Sequence, residues 1–456
     1  MTVLLITIFL MQVVWMIAPA FWRREYRLQF PCLAGFTVIF HVVLPAVAIA
    51  GRTELASVES VNRFLIMANL CLAAAWLGYS RPMKIPSRSM VQFNPRRLRI
   101  SAIVLVLFGL SASVAMRNVI PEYDWEKGGM TGIATILLTF AAVMRYGFII
   151  AAILMARQRK WNLWWLVLPQ LWGYGIALAN GRRSPTGELA IIICMLVFFY
   201  RRWVVPMWVL MLGILAAALM YFNIADFRSS IEETTLKQRF TQLFKAESIQ
   251  SISARGMAEA GGYVEILNAV KFMEARAHGG HYTLGRHFWN QIVFGFVPAQ
   301  FVGQELKESL MIPLEDDTQL TGFEKPLGTC ESGVAEAFMA FGYFGCVLFY
   351  LLGRYMRWLW EGAMAGSILH QFLLMLSTLG AIMSFSIQLW TLINLVIGIA
   401  LFCGMLFWWS REKRSDLVNP HLRQSARAKR RHRSRRQPEP STPSALPSAG
   451  LDSPAN

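Results

Sequence analysis

Eleven apolar stretches, each near the ~20 residues that cross a bilayer's hydrocarbon core, run through this chain and constrain it more than any other feature. They cover 1–22, 29–50, 63–80, 100–120, 131–155, 162–180, 187–200, 204–225, 334–353, 366–385 and 388–409. Of 456 residues, 55% are hydrophobic and 16% charged, whereas a soluble domain carries about 25% charged residues. One aqueous core does not hide such an excess, so lipid is the expected solvent. That excludes a soluble enzyme, a secreted disulfide scaffold and a nucleic-acid-binding domain. The expected fold is an all-α polytopic membrane protein.

The net charge of +17 is then first a report on topology, because basic residues gather on the cytoplasmic side of a membrane protein. Residues 1–22 contain no Lys or Arg, and Arg23, Arg24 and Arg27 follow them. A signal peptide has its basic residues first, so despite Ala18-Pro19-Ala20 the first stretch reads as an uncleaved span with its N-terminus outside. Alternating from there, the inner short loops collect Arg23, Arg24, Arg27, Arg81, Lys84, Arg88, Arg96, Arg97, Arg99, Arg157, Arg159, Lys160, Arg201, Arg202, Arg354 and Arg357. The outer ones hold only Arg52, Arg63, Arg117, Lys127, Arg182 and Arg183. Sixteen against six fixes the orientation.

The chain divides accordingly into spans one to eight (1–225), a large outer loop (226–333), spans nine to eleven (334–410) and a tail (411–456). The tail turns basic and then Pro/Ser-rich, a composition too polar to bury a core, and it reads as a disordered cytoplasmic extension. Within the loop, periodicity predicts helices over 231–250 and 258–277. Phe288-Trp289, Ile292-Val293-Phe294 and Phe296-Val297 then form an apolar run before Pro298 that suits the membrane surface. No internal repeat of the transporter kind is visible. The six cysteines show no C-x-x-C and predict neither disulfide nor metal site.

Unusual polar residues gather on the outer side. Arg182 and Arg183 sit in a tight turn, Asn180-Gly181-Arg182-Arg183-Ser184-Pro185, between two spans. Arg matches phosphate with a planar fork, so the pair suits either a phosphorylated ligand or lipid headgroups. Arg145 falls inside span five, where a charge costs roughly 2.5–3.5 kcal/mol on insertion scales; an intramembrane ion pair and a ligand role both meet that cost. In the loop, Arg286-His287 beside Tyr282 and Trp289 suits a sugar or phosphate, or an interfacial anchor. His278 and His281 lack a third ligand at zinc spacing, and Glu315-Asp316-Asp317 reads as solvated surface. Finally, Glu331 and Glu336 stand where the loop returns to the membrane. There a carboxylate serves as general base if desolvated, or caps the positive end of a helix.

These pieces resemble the oligosaccharide repeat-unit polymerases of bacterial surface polysaccharides, the O-antigen polymerase (Wzy) type. Leu178-Ala179-Asn180-Gly181-Arg182-Arg183 is similar to the outer Arg turn shared with O-antigen ligases. Gly285-Arg286-His287-Phe288 through Phe296-Val297-Pro298 is similar to the family's aromatic loop run, although Ala299-Gln300 stands where an Arg often follows. Glu331-Ser332-Gly333-Val334-Ala335-Glu336-Ala337-Phe338 with Phe341-Gly342-Tyr343-Phe344-Gly345 resembles the family's return motif, an acidic residue in a small-residue helix followed by F-G-x-x-G. In the related ligases and peptidoglycan polymerases, a proposed base stands eleven residues before the first Gly, the place of Glu331.

The resemblance implies a GT-C-like architecture in the bacterial inner membrane and metal-independent glycosyl transfer on the periplasmic face. The donor would be a glycan on undecaprenyl pyrophosphate and the acceptor a lipid-linked repeat unit. No cofactor is implied; a chain-length regulator and a flippase would be partners, with no nucleic acid. Arg182 and Arg183 would bind the pyrophosphate, with Arg286 or Arg145 at its second phosphate. Glu331 would be the base, with His287 behind it and Glu336 nearby, paired with an Arg. The alternatives are an O-antigen-type ligase, which usually carries His at the Glu331 position, and a transporter or flippase of lipid-linked sugars.

Overall fold

The structure, a computed structural model, describes residues 1–83, 91–119, 122–124, 129–159, 161–179, 183–213, 264–279, 281–314, 322–323, 325–326 and 329–412. Eight of its helical segments are long and apolar enough to cross a membrane, the fold of a polytopic membrane protein. Most follow the apolar stretches closely: α1 (Thr2–Ile17), α2 (Phe30–Val38), α3 (Leu44–Ala50), α4 (Val58–Ser80), α5 (Pro95–Met116), α6 (Ile133–Gln158), α7 (Trp164–Ala179) and α8 (Arg183–Arg201). A π turn at Ile39–Val43 joins α2 to α3, so the two make one apolar segment. Between α5 and α6 the chain forms a small antiparallel hairpin, Glu122–Asp124 against Gly129–Thr131.

The loop contributes α9 (Val264–His278) and α10 (Arg286–Phe296). The chain then returns through α11 (Gly333–Phe341), a 3₁₀ turn at Gly342–Gly345 and α12 (Cys346–Met364), followed by α13 (Ile368–Met383) and α14 (Trp390–Ser410). Helix α9 falls within the helix that the periodicity predicts over 258–277, of which 258–263 lie outside the described residues, and the apolar run from Phe288 is itself helical as far as Phe296. The eighth stretch is described only as far as 213. The helix expected over 231–250, Glu315-Asp316-Asp317, Arg182 and the tail beyond 412 lie outside the described residues.

Why these helices pack is legible in their small residues. Lipid tails are as apolar as Leu, so membrane helices associate through close van der Waals contact. Helices α4 and α12 meet through Gly78 and Gly353: a Cβ on Gly353 would fall on the Ala75 carbonyl, and one on Gly78 on the Tyr350 carbonyl. Around such contacts, Phe64, Leu72, Phe349, Phe372 and Phe385 fill a fully buried core. Large apolar side chains elsewhere face outward, as lipid permits and water does not. Tryptophans cluster at the Arg-rich ends of the helices, with Trp22 77%, Trp203 54% and Trp408 70% exposed, the belt expected at a membrane–water interface.

Candidate functional site

The return motif is a folding device before it is a chemical one. Helix α11 stops at Phe341 because Gly342 takes a φ of +61° and turns the chain away. A helix end leaves carbonyls without intrahelical partners; here the loop supplies them. The Thr283 amide donates to the Met339 carbonyl at 2.8 Å and the Leu284 amide to the Ala340 carbonyl at 3.0 Å. The Tyr282 ring lies against Gly342, where a Cβ would come within 2.9 Å of it, and edge-on to Phe338. Three residues on, Gly345 packs so tightly on the Ala337 backbone that no side chain fits. Both glycines of F-G-x-x-G are thus fixed by backbone geometry.

Docking residues 282–284 sets the position of His287. Gly285, with φ +83°, caps the start of α10, and His287 follows within its first turn. The Thr283 hydroxyl lies 2.8 Å from His287 Nδ1 and 3.3 Å from the Met339 carbonyl. A hydroxyl has one proton to give. If it goes to Met339, Thr283 accepts from Nδ1–H and the imidazole's lone pair is on Nε2; if it goes to Nδ1, Nε2 carries the proton. That Nε2 is buried and has no hydrogen-bond partner among the described residues. Burial pushes the ring's pKa down from 6.5 to about 4, with Glu331 opposing the shift and Arg276 adding to it. The ring is therefore neutral at pH 7, and Glu331 is near enough for its charge to favour the imidazolium.

Glu331 itself is held on both oxygens. Lys325 Nζ donates to Oε1 at 2.8 Å and Gln388 Nε2 to Oε2 at 3.1 Å. It does not cap α11: that is done by Ser332, whose hydroxyl accepts from the Ala335 amide at 3.2 Å. Glu336 is 2% exposed, and its Oε2 accepts from the Trp390 amide at 3.2 Å. Among the described residues the expected Arg partner is replaced by the first backbone N–H of α14, which finds in the Glu336 carboxyl oxygen an acceptor that the helix itself does not supply. The capping reading thus applies to Glu336, on a neighbouring helix rather than its own. With Gly333 N–H on the Ile387 carbonyl, these contacts pin the 384–390 connection against the return segment.

The remaining candidates are more dispersed. Arg145 pairs with Glu188 of α8 at 3.2 Å, a partner that reading α6 alone does not reveal, although Glu188 is an acid in an apolar stretch and was the available signal. Arg145 Nε and Glu188 Oε1 are buried without partners among the described residues. Arg183 begins α8. Arg286 is exposed at the start of α10 and forms no ion pair among the described residues. Sequence reasoning missed Thr283, Arg276, Lys325 and Gln388; the first three lie within about eleven residues of the groups they act on, and Gln388 reaches Glu331 from 57 residues away. Among the described residues no group of three or more His, Cys, Asp or Glu is placed to hold a metal ion.

The site thus gathers a neutral imidazole with a buried, unpartnered Nε2, a carboxylate within electrostatic reach and, one residue before the imidazole, an exposed guanidinium. With its lone pair on Nε2, such an imidazole has the chemistry to accept a proton from a hydroxyl. Compared with known proteins, the chain matches no family model, no curated protein and no solved structure.

Proposed function

We propose that the protein is a glycosyltransferase that polymerises undecaprenyl-pyrophosphate-linked repeat units into a surface polysaccharide. In this reading eleven spans lie in the bacterial inner membrane, and the large loop is periplasmic. The observation that supports the chemistry is the buried, unpartnered Nε2 of His287, in a ring held by Thr283 against the return motif; in this reading the proton of the neutral ring is on Nδ1. His287 takes the proton from the acceptor hydroxyl as that oxygen attacks the anomeric carbon of the donor sugar. Glu331 offsets the charge that develops on the imidazole. This exchanges the order the sequence suggests, because both oxygens of Glu331 are already engaged by Lys325 and Gln388.

The bond that breaks joins the sugar to the lipid pyrophosphate, and negative charge develops on the leaving oxygen. Stabilisation of such charge by placed cations is commonly the largest catalytic term. Arg182, Arg183 and Arg286 serve there; Arg145, already balanced by Glu188, contributes less. Exposed Tyr282, Trp289 and Phe294 suit sugar faces and prenyl chains, and a membrane-level site limits hydrolysis by water.

The test is a deletion strain together with the purified protein. Loss of the polymerase leaves single repeat units on the periplasmic lipid anchor, and the pure protein lengthens lipid-linked repeats without added metal. Repeats trapped on the inner leaflet indicate a flippase. Full-length glycan left on the prenyl lipid indicates a ligase. Either outcome overturns the proposal.

A further inference from the structure

The end of the bundle away from Glu331 and His287 carries two adjoining cavities. The larger, of about 740 Å³, is lined by Arg23, Arg24, Arg27 and Arg202, with Glu25 the single acid among its described lining. The rest of its wall is apolar, including Phe198, Trp203 and Met207. The smaller, of about 230 Å³, shares Arg202 and adds Arg157. None of Arg23, Arg24 and Arg202 forms an ion pair among the described residues.

The walls are built rather than incidental. Arg27 Nε donates to the Ala20 carbonyl at 3.0 Å and Nη1 to the Val205 carbonyl at 3.2 Å, tying the chain after the first span to the chain after α8. Arg202 sits at φ +55°, a left-handed conformation that few non-glycine residues adopt. Its guanidinium lies 6.0 Å from the centre of the Phe198 ring. The cavity also stands at the level of the tryptophan belt, where headgroups lie.

We propose that this cavity binds an anionic phospholipid, its phosphodiester held by Arg23, Arg24 and Arg202 and its acyl chains running along Trp203 and Met207. Guanidinium forks match phosphate oxygens, and basic pockets between membrane helices take such headgroups. The apolar wall distinguishes a lipid from free phosphate. The site is independent of the chemistry proposed at the opposite end.

Delipidated full-length protein in nonionic detergent, titrated separately with phosphatidylglycerol, phosphatidylcholine and inorganic phosphate, tests this by native mass spectrometry. Phosphatidylglycerol should bind more tightly than phosphatidylcholine. Each cation lost should weaken it about fivefold, so Arg23→Gln with Arg24→Gln should weaken it roughly 25-fold. Arg202→Gly removes one fork while suiting the positive φ, and should weaken binding about fivefold. Arg159→Gly is the matched control, with φ +52° and a cation outside both cavities; it should leave binding unchanged. Equal affinity for the two lipids, equal loss in Arg159→Gly and Arg202→Gly, or retention of inorganic phosphate alone would each overturn the proposal.

Discussion

Lowering the pH from 7.5 to 4 tests the role of His287 more sharply than deleting it, because burial changes where the ring titrates. An exposed imidazole is half protonated near pH 6.5, whereas His287 is held down at about 4. At pH 5.5 an ordinary histidine would be about 90% protonated and its Nε2 blocked; a ring titrating at 4 would be only about 3% protonated. Chain elongation by the purified protein on lipid-linked repeats should therefore stay nearly level from pH 7 to 5.5 and fall near pH 4. Glu331→Gln removes the charge that favours the imidazolium, so the acid limb should shift lower still, and the rate at pH 7 should drop roughly 10²-fold. Stability follows the same sign. The unfolded chain takes up the proton first, so the contribution of His287 is complete above pH 6.5 and is lost as pH falls towards 4. Its size is roughly 1–3 kcal/mol, discounted because the ring keeps some solvent contact. A wild-type acid limb centred at pH 6.5, or His287→Ala retaining most of the activity, would refute the reasoning.

Three further outcomes are expected. Glu188→Ala strands Arg145 without its counter-ion and should cost about 3 kcal/mol in thermal unfolding, the low end for a buried pair because the Arg145 side chain is 28% exposed; Arg145→Met with Glu188→Leu should recover most of that loss. At the outer turn, Arg→Lys at Arg182 or Arg183 keeps charge but loses the fork, so donor binding should weaken, and further with Ala; normal polymerisation by the double Ala variant would reduce the turn to a headgroup contact. Truncation after Arg414 should leave elongation by the purified protein intact, since every proposed catalytic group precedes residue 411 in the chain.

The helices were legible because apolar runs of bilayer length have one solution in lipid, and backbone groups there must be satisfied within the helix. The candidate site was legible only in part. Glu331, Glu336 and His287 were visible as polar residues beside a return to the membrane, but their division of labour was not. It depends on Gln388 and Trp390, more than fifty residues beyond Glu331 and Glu336, and on Thr283, whose hydroxyl looks like any other in a loop. Arg145 shows the same limit: its burial demanded a partner, and only the packing of α6 on α8 named Glu188.

The return motif links these levels. Its first glycine ends α11 and exposes two carbonyls; those carbonyls capture Thr283 and Leu284; that capture positions the ring of His287 through the Thr283 hydroxyl. His287 is thus positioned through Thr283, which docks on the Met339 carbonyl 56 residues further along the chain. Replacing Gly342 would therefore disturb His287 before it disturbed the membrane helices, because α12 is held independently through Gly353 on α4. The pattern F-G-x-x-G, which carries no reactive group of its own, acts in this site as the scaffold for one.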